Sequence, residues 1–116
     1  MFLSATFTET VSSEKNYEGQ SVYLSTSTDI YQGDHLIIPR GAKVKATVKK
    51  VRRAQGKKRA FLAINLQSVQ AINGQWLTIS YPEYSNLSKD LVEFKRGSQL
   101  NRIKLKSTNI TLNKSF

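Results

Sequence analysis

From Val44 onward, apolar and polar residues alternate with a period of two: Val44, Ala46 and Val48 fall on one face, and Lys45, Thr47 and Lys49 on the other. A second run repeats the pattern, with Leu62, Ile64 and Leu66 against Phe61, Ala63, Asn65 and Gln67. Successive side chains of a strand point to opposite faces, so each run reads as a half-buried strand. Both runs slip by one residue, the first at Lys50-Val51 and the second at Gln67-Ser68. A slip of one is the mark of a β-bulge, which lets a small sheet curl toward closure.

The same period extends to both sides. Residues Ala5 to Val11 are rich in Thr, Phe and Val and predict a strand, followed by a polar break over Ser12 to Asn16. Glu18-Gly19-Gln20 reads as a turn. In the next run, Gln20 to Ser27, Val22, Leu24 and Thr26 face one way and Tyr23 and Ser25 the other, with Asp29-Ile30-Tyr31 as a continuation. Gln32-Gly33-Asp34 turns the chain into Leu36-Ile37-Ile38. Pro39 lacks the N–H that a ladder needs, and Gly41 accepts a positive φ, so Pro39-Arg40-Gly41 reads as a tight reversal. Asn73-Gly74 is a two-residue hairpin signal, returning through Trp76 to Tyr81 until Pro82 stops the strand.

Beyond Pro82 the pattern weakens. Tyr84 to Asp90 reads as polar and irregular, and Leu91 to Lys95 as a short strand or helical turn. Arg102 to Lys106 alternates with Ile103 and Leu105 inward, and Ile110 and Leu112 suggest a last short strand. Six or seven short strands at roughly ten-residue spacing, with no 3.6-residue period, predict an all-β fold: a small antiparallel barrel or sandwich. The expected core includes Val48, Leu62, Ile64 and Leu66. With 116 residues the chain suits one β domain, 1–116, with one core.

Composition changes this picture in one place. Apolar content of 39% and charged content of 22% are ordinary for a folded protein. The net charge of +10, however, is concentrated. Ten Lys and Arg lie between Arg40 and Arg59 with no acid among them, while the eight basic residues elsewhere balance the eight acidic ones. The loop between the two long strands, Arg52 to Arg59, carries five of these ten charges, predicting a protruding basic hairpin. Lys45, Lys49, Lys50, Arg52, Arg53, Lys57, Lys58 and Arg59 are its candidate binding residues for an anionic partner, nucleic acid or acidic lipid. The alternative is a solvated face that keeps the protein soluble. With no acid between Arg40 and Gln75, the tip residues Arg53, Lys57, Lys58 and Arg59 are expected to be exposed, mobile and short of fixed partners.

The chain shows no catalytic constellation. It has no Cys and a single His, His35, so the sequence predicts no disulfide, no metal site and no cofactor. Asp29, Asp34 and Glu83 are scattered, and neither a Gly-x-Ser-x-Gly elbow nor a phosphate-cradling Gly-rich loop is present. No small-molecule substrate is evident. Trp76 is a candidate stacking platform, but its place just after a turn favours packing in the core or at an edge. Tyr23, Tyr31, Tyr81 and Tyr84 read as wall or rim aromatics first. No apolar run approaches the roughly 20 residues of a membrane-spanning helix, and Met1-Phe2-Leu3 is too short for a signal peptide.

One constellation of strand and turn residues is familiar: Gly19-Gln20-Ser21-Val22, Asp29-Ile30, Ile38-Pro39-Arg40-Gly41-Ala42-Lys43-Val44, Val48, Leu62-Ala63-Ile64, Val69, Asn73-Gly74-Gln75 and Leu77. It resembles the small β-domains of bacterial envelope proteins, in particular the β-barrel domain of type IV secretion and conjugative-transfer core proteins with their I-P-R-G turn. The resemblance covers about Phe7 to Ser80; residues 82–116 are not matched, and nothing in them reads as a long helical insertion. It implies a non-enzymatic binding or assembly module of the cell envelope, periplasmic or lipoprotein-borne, with a protein partner or self-assembly. An export leader is then expected upstream of Met1. The alternative reading is a cytoplasmic nucleic-acid-binding barrel that uses the hairpin 49–59.

Overall fold

The computed structural model describes residues 2–80 and 83–105. All regular structure in them is strand: β1 (Phe2–Phe7), β2 (Val11–Ser12), β3 (Ser21–Thr26), β4 (Ile30–Gln32), β5 (His35–Ile38), β6 (Lys43–Arg52), β7 (Ala60–Gln70), β8 (Trp76–Ser80), β9 (Glu83–Ser88), β10 (Glu93–Phe94) and β11 (Gln99–Leu105). The main sheet runs β6-β3-β1-β11-β8-β7, and β6 pairs with β7 to close it into a six-stranded antiparallel barrel. Closure removes the open edges that an isolated sheet would present.

The alternating residues fill the interior. Val22 and Leu24, Val44, Ala46 and Val48, Leu62, Ile64 and Leu66, and Ile103 and Leu105 are all buried in one cluster with Leu3, Ala5 and Phe7 of β1. Both expected slips occur in the β6–β7 ladder. Val48 opposes Ile64 but Lys50 opposes Ala63, leaving Lys49 as the extra residue, and Lys45 opposes Ser68 but Ala46 opposes Leu66, leaving Gln67 extra. A third bulge lies in β11, where Leu3 opposes Ile103 but Ala5 opposes Leu100. Ala63 departs from its expected outward exposure: it is buried although it lies outside the core cluster. Its partners Lys50 and Ser85 stand on both sides of it, and a side chain this short is walled in by its cross-strand neighbours.

The Pro39 reversal forms as expected. Ala42 donates to the Pro39 carbonyl at 3.1 Å, and Gly41 takes φ +85°. Buried Thr26 clamps it: its hydroxyl donates to the Pro39 carbonyl at 2.8 Å and accepts from the Ala42 N–H at 2.9 Å. The Asn73-Gly74 turn is longer than two residues. Gly74 donates to the Ala71 carbonyl and takes φ +88°, Ala71 donates to the Gln75 carbonyl, and Asn73 keeps a negative φ. That is a three-residue loop, in which a glycine in the left-handed region follows an ordinary turn.

Several other expectations are corrected. The first strand is Phe2–Phe7 rather than Ala5 to Val11, and Val11–Ser12 is a separate strand paired with β10. The polar break after it holds two buried serines, Ser12 and Ser13. Ile30–Gln32 does not continue β3 but pairs back on β5. Glu83–Ser88, expected to be irregular, is a strand that pairs with the first half of β7. The expected last strand at Ile110 and Leu112, like Tyr81 and Pro82, lies outside the described residues. β11 completes the barrel between β1 and β8, so a sixth strand comes from beyond Ser80, the end of the stretch that carries the sequence resemblance.

The two ends of the barrel are closed differently. β2 follows the C-terminal end of β1 and β4 that of β3; β1 and β3 are antiparallel, so the two small sheets cap opposite ends. Phe7 stacks on Phe94 of β10, ring centroids 5.1 Å apart, beneath the β2–β10 cap. The long β6–β7 hairpin extends past this same end.

Candidate anion-binding arm

The β6–β7 hairpin owes its shape to its sequence. Beyond Thr47, β6 has no further partner in β3, yet its pairing with β7 continues to Arg52↔Phe61. At the tip, Gln55 and Lys58 exchange backbone hydrogen bonds of 3.1 and 2.8 Å across Gly56-Lys57. Gly56 has φ +55° and Lys57 does not enter the left-handed region, the pattern of a type II′ turn, whose first central position glycine fills without strain. Arg52 Nε donates to the Arg59 carbonyl at 2.8 Å, joining the two strands below the tip.

The hairpin is not a free two-stranded ribbon. β9 pairs with β7 from Ala60↔Ser88 to Asn65↔Glu83, making a three-stranded arm. Val51 and Ala54 pack against the core. All eight candidate residues are exposed, but they form three groups. Lys45 lies on the barrel wall, opposite Tyr23 and Ser68, seven strand positions from Arg52 and thus roughly 20 Å away. Lys49, Lys50 and Arg52 lie along the arm. Arg53, Lys57, Lys58 and Arg59 occupy the tip.

Two cations have partners that local sequence did not offer. Lys49 Nζ lies 2.8 Å from Glu83 Oε2, a carboxylate carried to it by β9. Arg53 Nη2 donates to the Glu14 carbonyl at 2.7 Å, with Nε 3.9 Å from Glu14 Oε2. Arg53 is thus anchored to the segment after β2, which corrects the expectation that it lacks fixed partners. Both pairs are exposed and add little stability, but each removes a cation from the free set. Among the described residues, no ion pair engages Lys57, Lys58 or Arg59.

The tip also builds a concavity. Gly56, Lys57, Lys58 and Arg59 line a cleft of about 420 Å³ together with Lys89 and Asp90, which follow β9. Lys89 was not among the residues that the sequence singles out. Its segment has no period, and only the pairing of Ala60 with Ser88 brings it beside Arg59. The lining therefore carries four cations against one carboxylate, in a recess where fields add.

No protein-family model matches the chain, and no curated protein or solved structure shows detectable similarity to it.

The rest of the surface offers less. A second open cleft, about 440 Å³, is lined by Thr6, Thr8, Ser25, Thr26, Ser27 and Arg40 among others. Four of its five hydroxyls are turned to internal use: Thr6 bonds Ser27, Thr8 donates to the Tyr23 carbonyl and Thr26 holds the Pro39 turn. No group of three His, Asp or Glu converges among the described residues. Trp76 is half exposed at the start of β8, opposite Gln70, and so is not a core residue. Tyr23, on the barrel wall, and Tyr31, in the β4–β5 sheet, are exposed, and Lys43 lies 5.3 Å over the ring of Tyr23. Tyr84 is half buried on β9, and desolvation there raises its phenol above the usual value.

Proposed function

We propose that this chain is a non-enzymatic binding module that docks an anionic partner through the β6–β7–β9 arm, and that it serves assembly in a bacterial envelope, as its sequence resemblance implies. The observation that carries the reading is the tip cleft. Lys57, Lys58, Arg59 and Lys89 converge there with Asp90 as the one carboxylate, in the β6–β7 turn and the segment just after β9, which the Ala60↔Ser88 pairing sets side by side. A merely solvated hairpin needs charges on its surface; it has no need to gather them around a recess.

The test is the triple variant Lys57→Glu, Lys58→Glu, Arg59→Glu. These side chains are exposed and lie outside the core, so stability should move by no more than ~0.5 kcal/mol. Binding to polyanionic probes, measured across a salt titration, should be abolished. Wild-type protein that ignores every polyanion at low salt, or a triple variant that binds as well as wild type, would return the arm to the status of a solubilising surface.

A further inference from the structure

The arm carries exposed aliphatic residues next to its cations. Leu87 and Leu91 bracket the Lys89-Asp90 wall of the cleft in sequence, and they are 49% and 38% exposed. Leu87 stands opposite Phe61 in the β7–β9 ladder. Leu91 immediately precedes Val92, which is buried and bonded to Ser13, so its backbone is tied to the barrel while its side chain meets solvent. Single exposed leucines are ordinary on a surface. Two of them beside a four-cation recess form a combination with a specific physical use.

Resting on the reading above, we infer that the arm's partner is an anionic lipid surface: Lys57, Lys58, Arg59 and Lys89 engage headgroup phosphates, and Leu87 and Leu91 enter the acyl boundary. Peripheral binding of this kind needs two signals, electrostatic attraction and some buried apolar area. The arm supplies both at one end of the molecule. A single-stranded nucleic acid would instead favour rings for its bases to stack on, and no aromatic side chain lines the cleft. An acidic protein face would also match the charges, and polyglutamate stands in for it among the probes below. The recess suits a headgroup better than a flat patch would, because the cations can approach one phosphate from several sides.

The experiment uses the whole chain with vesicles of pure phosphatidylcholine, vesicles with about one third phosphatidylglycerol, single-stranded DNA and polyglutamate. Each basic residue near an anionic surface strengthens partitioning by roughly five-fold, so Lys57→Glu with Lys58→Glu should remove most vesicle binding. Leu87→Gln with Leu91→Gln should weaken it roughly ten-fold, by lost apolar burial, while leaving polyglutamate binding unchanged. The chain has no native cysteine, so a dye on Leu91→Cys reports from one place. Its emission should shift to the blue with anionic vesicles and stay put with DNA, a readout that does not depend on the leucine double variant folding well. Tight binding to DNA or polyglutamate with no vesicle binding, or vesicle binding without the dye shift, would overturn the lipid assignment and leave the anion-binding reading intact. Indifference to all four probes would overturn both.

Discussion

Ser13 and Val92, 79 positions apart in sequence, are joined by two hydrogen bonds: the Ser13 N–H donates to the Val92 carbonyl at 2.8 Å, and the Val92 N–H donates to Ser13 Oγ at 3.1 Å. Both residues are buried. Together they fasten the segment after β2 to the segment before β10, and so hold the cap over Phe7 and Phe94 at the arm's end of the barrel.

Ser13→Ala should therefore destabilise the fold by about 1–3 kcal/mol, because it leaves the Val92 N–H buried without an acceptor. Denaturant titration of the two proteins checks this. A change under ~0.5 kcal/mol would mean that water reaches the cap.

Ile64 lies at the centre of β7, wholly buried between Val48 and Tyr84 in the ladders on either side. Ile64→Ala is expected to lower stability by ~2–5 kcal/mol, through lost transfer energy and the cavity left behind. The same titration measures it, and a loss in the surface range of about 0.5 kcal/mol would contradict the assigned inner face.

Arg102 occupies the β11 bulge with φ +59°, and no other non-glycine residue among those described has a positive φ. The left-handed conformation costs an ordinary L-residue roughly 1–2 kcal/mol, whereas glycine adopts it freely but loses roughly 0.5–1 kcal/mol through greater unfolded-state entropy. Arg102→Gly should thus be neutral to stabilising by up to about 1 kcal/mol, seen as an unchanged or higher midpoint in thermal melts. A clear fall in the midpoint would show that the arginine side chain holds the bulge in place.

Burial raises the Tyr84 phenol above its ordinary value of 10.0 in the folded protein. The folded state then holds its proton more tightly than the unfolded state does. Stability from this group is present below pH 10 and is lost as pH rises through the folded value. Tyr84→Phe should flatten the alkaline fall in stability relative to wild type and leave neutral pH unaffected by ionisation. Parallel slopes for the two proteins above pH 10 would show that the phenol is solvated in both states.

The barrel was legible in the sequence because its strands bury one face. Val44 to Val48, Leu62 to Leu66 and Ile103 to Leu105 each show the period of two that a half-buried strand requires, and the one-residue slips at Lys50 and Gln67 mark real bulges. The turn at Gly41 could be read for a similarly local reason, since the backbone there needs a residue tolerant of positive φ. What tertiary structure alone decided is what these elements meet. Glu83–Ser88 has no apolar face, so no pattern announces it; it is a strand because the outer edge of β7 offers backbone partners. That pairing sets Lys89 beside Arg59, carries Glu83 to Lys49, and gives the arm its third strand. Glu14 reaches Arg53 across 39 positions of chain for a similar reason, because the cap and the arm share one end of the barrel. Local sequence determined where the charge is concentrated. Long-range pairing determined which of those charges remain free to bind, because a cation's partner depends on what folds against it and not on its neighbours in the chain.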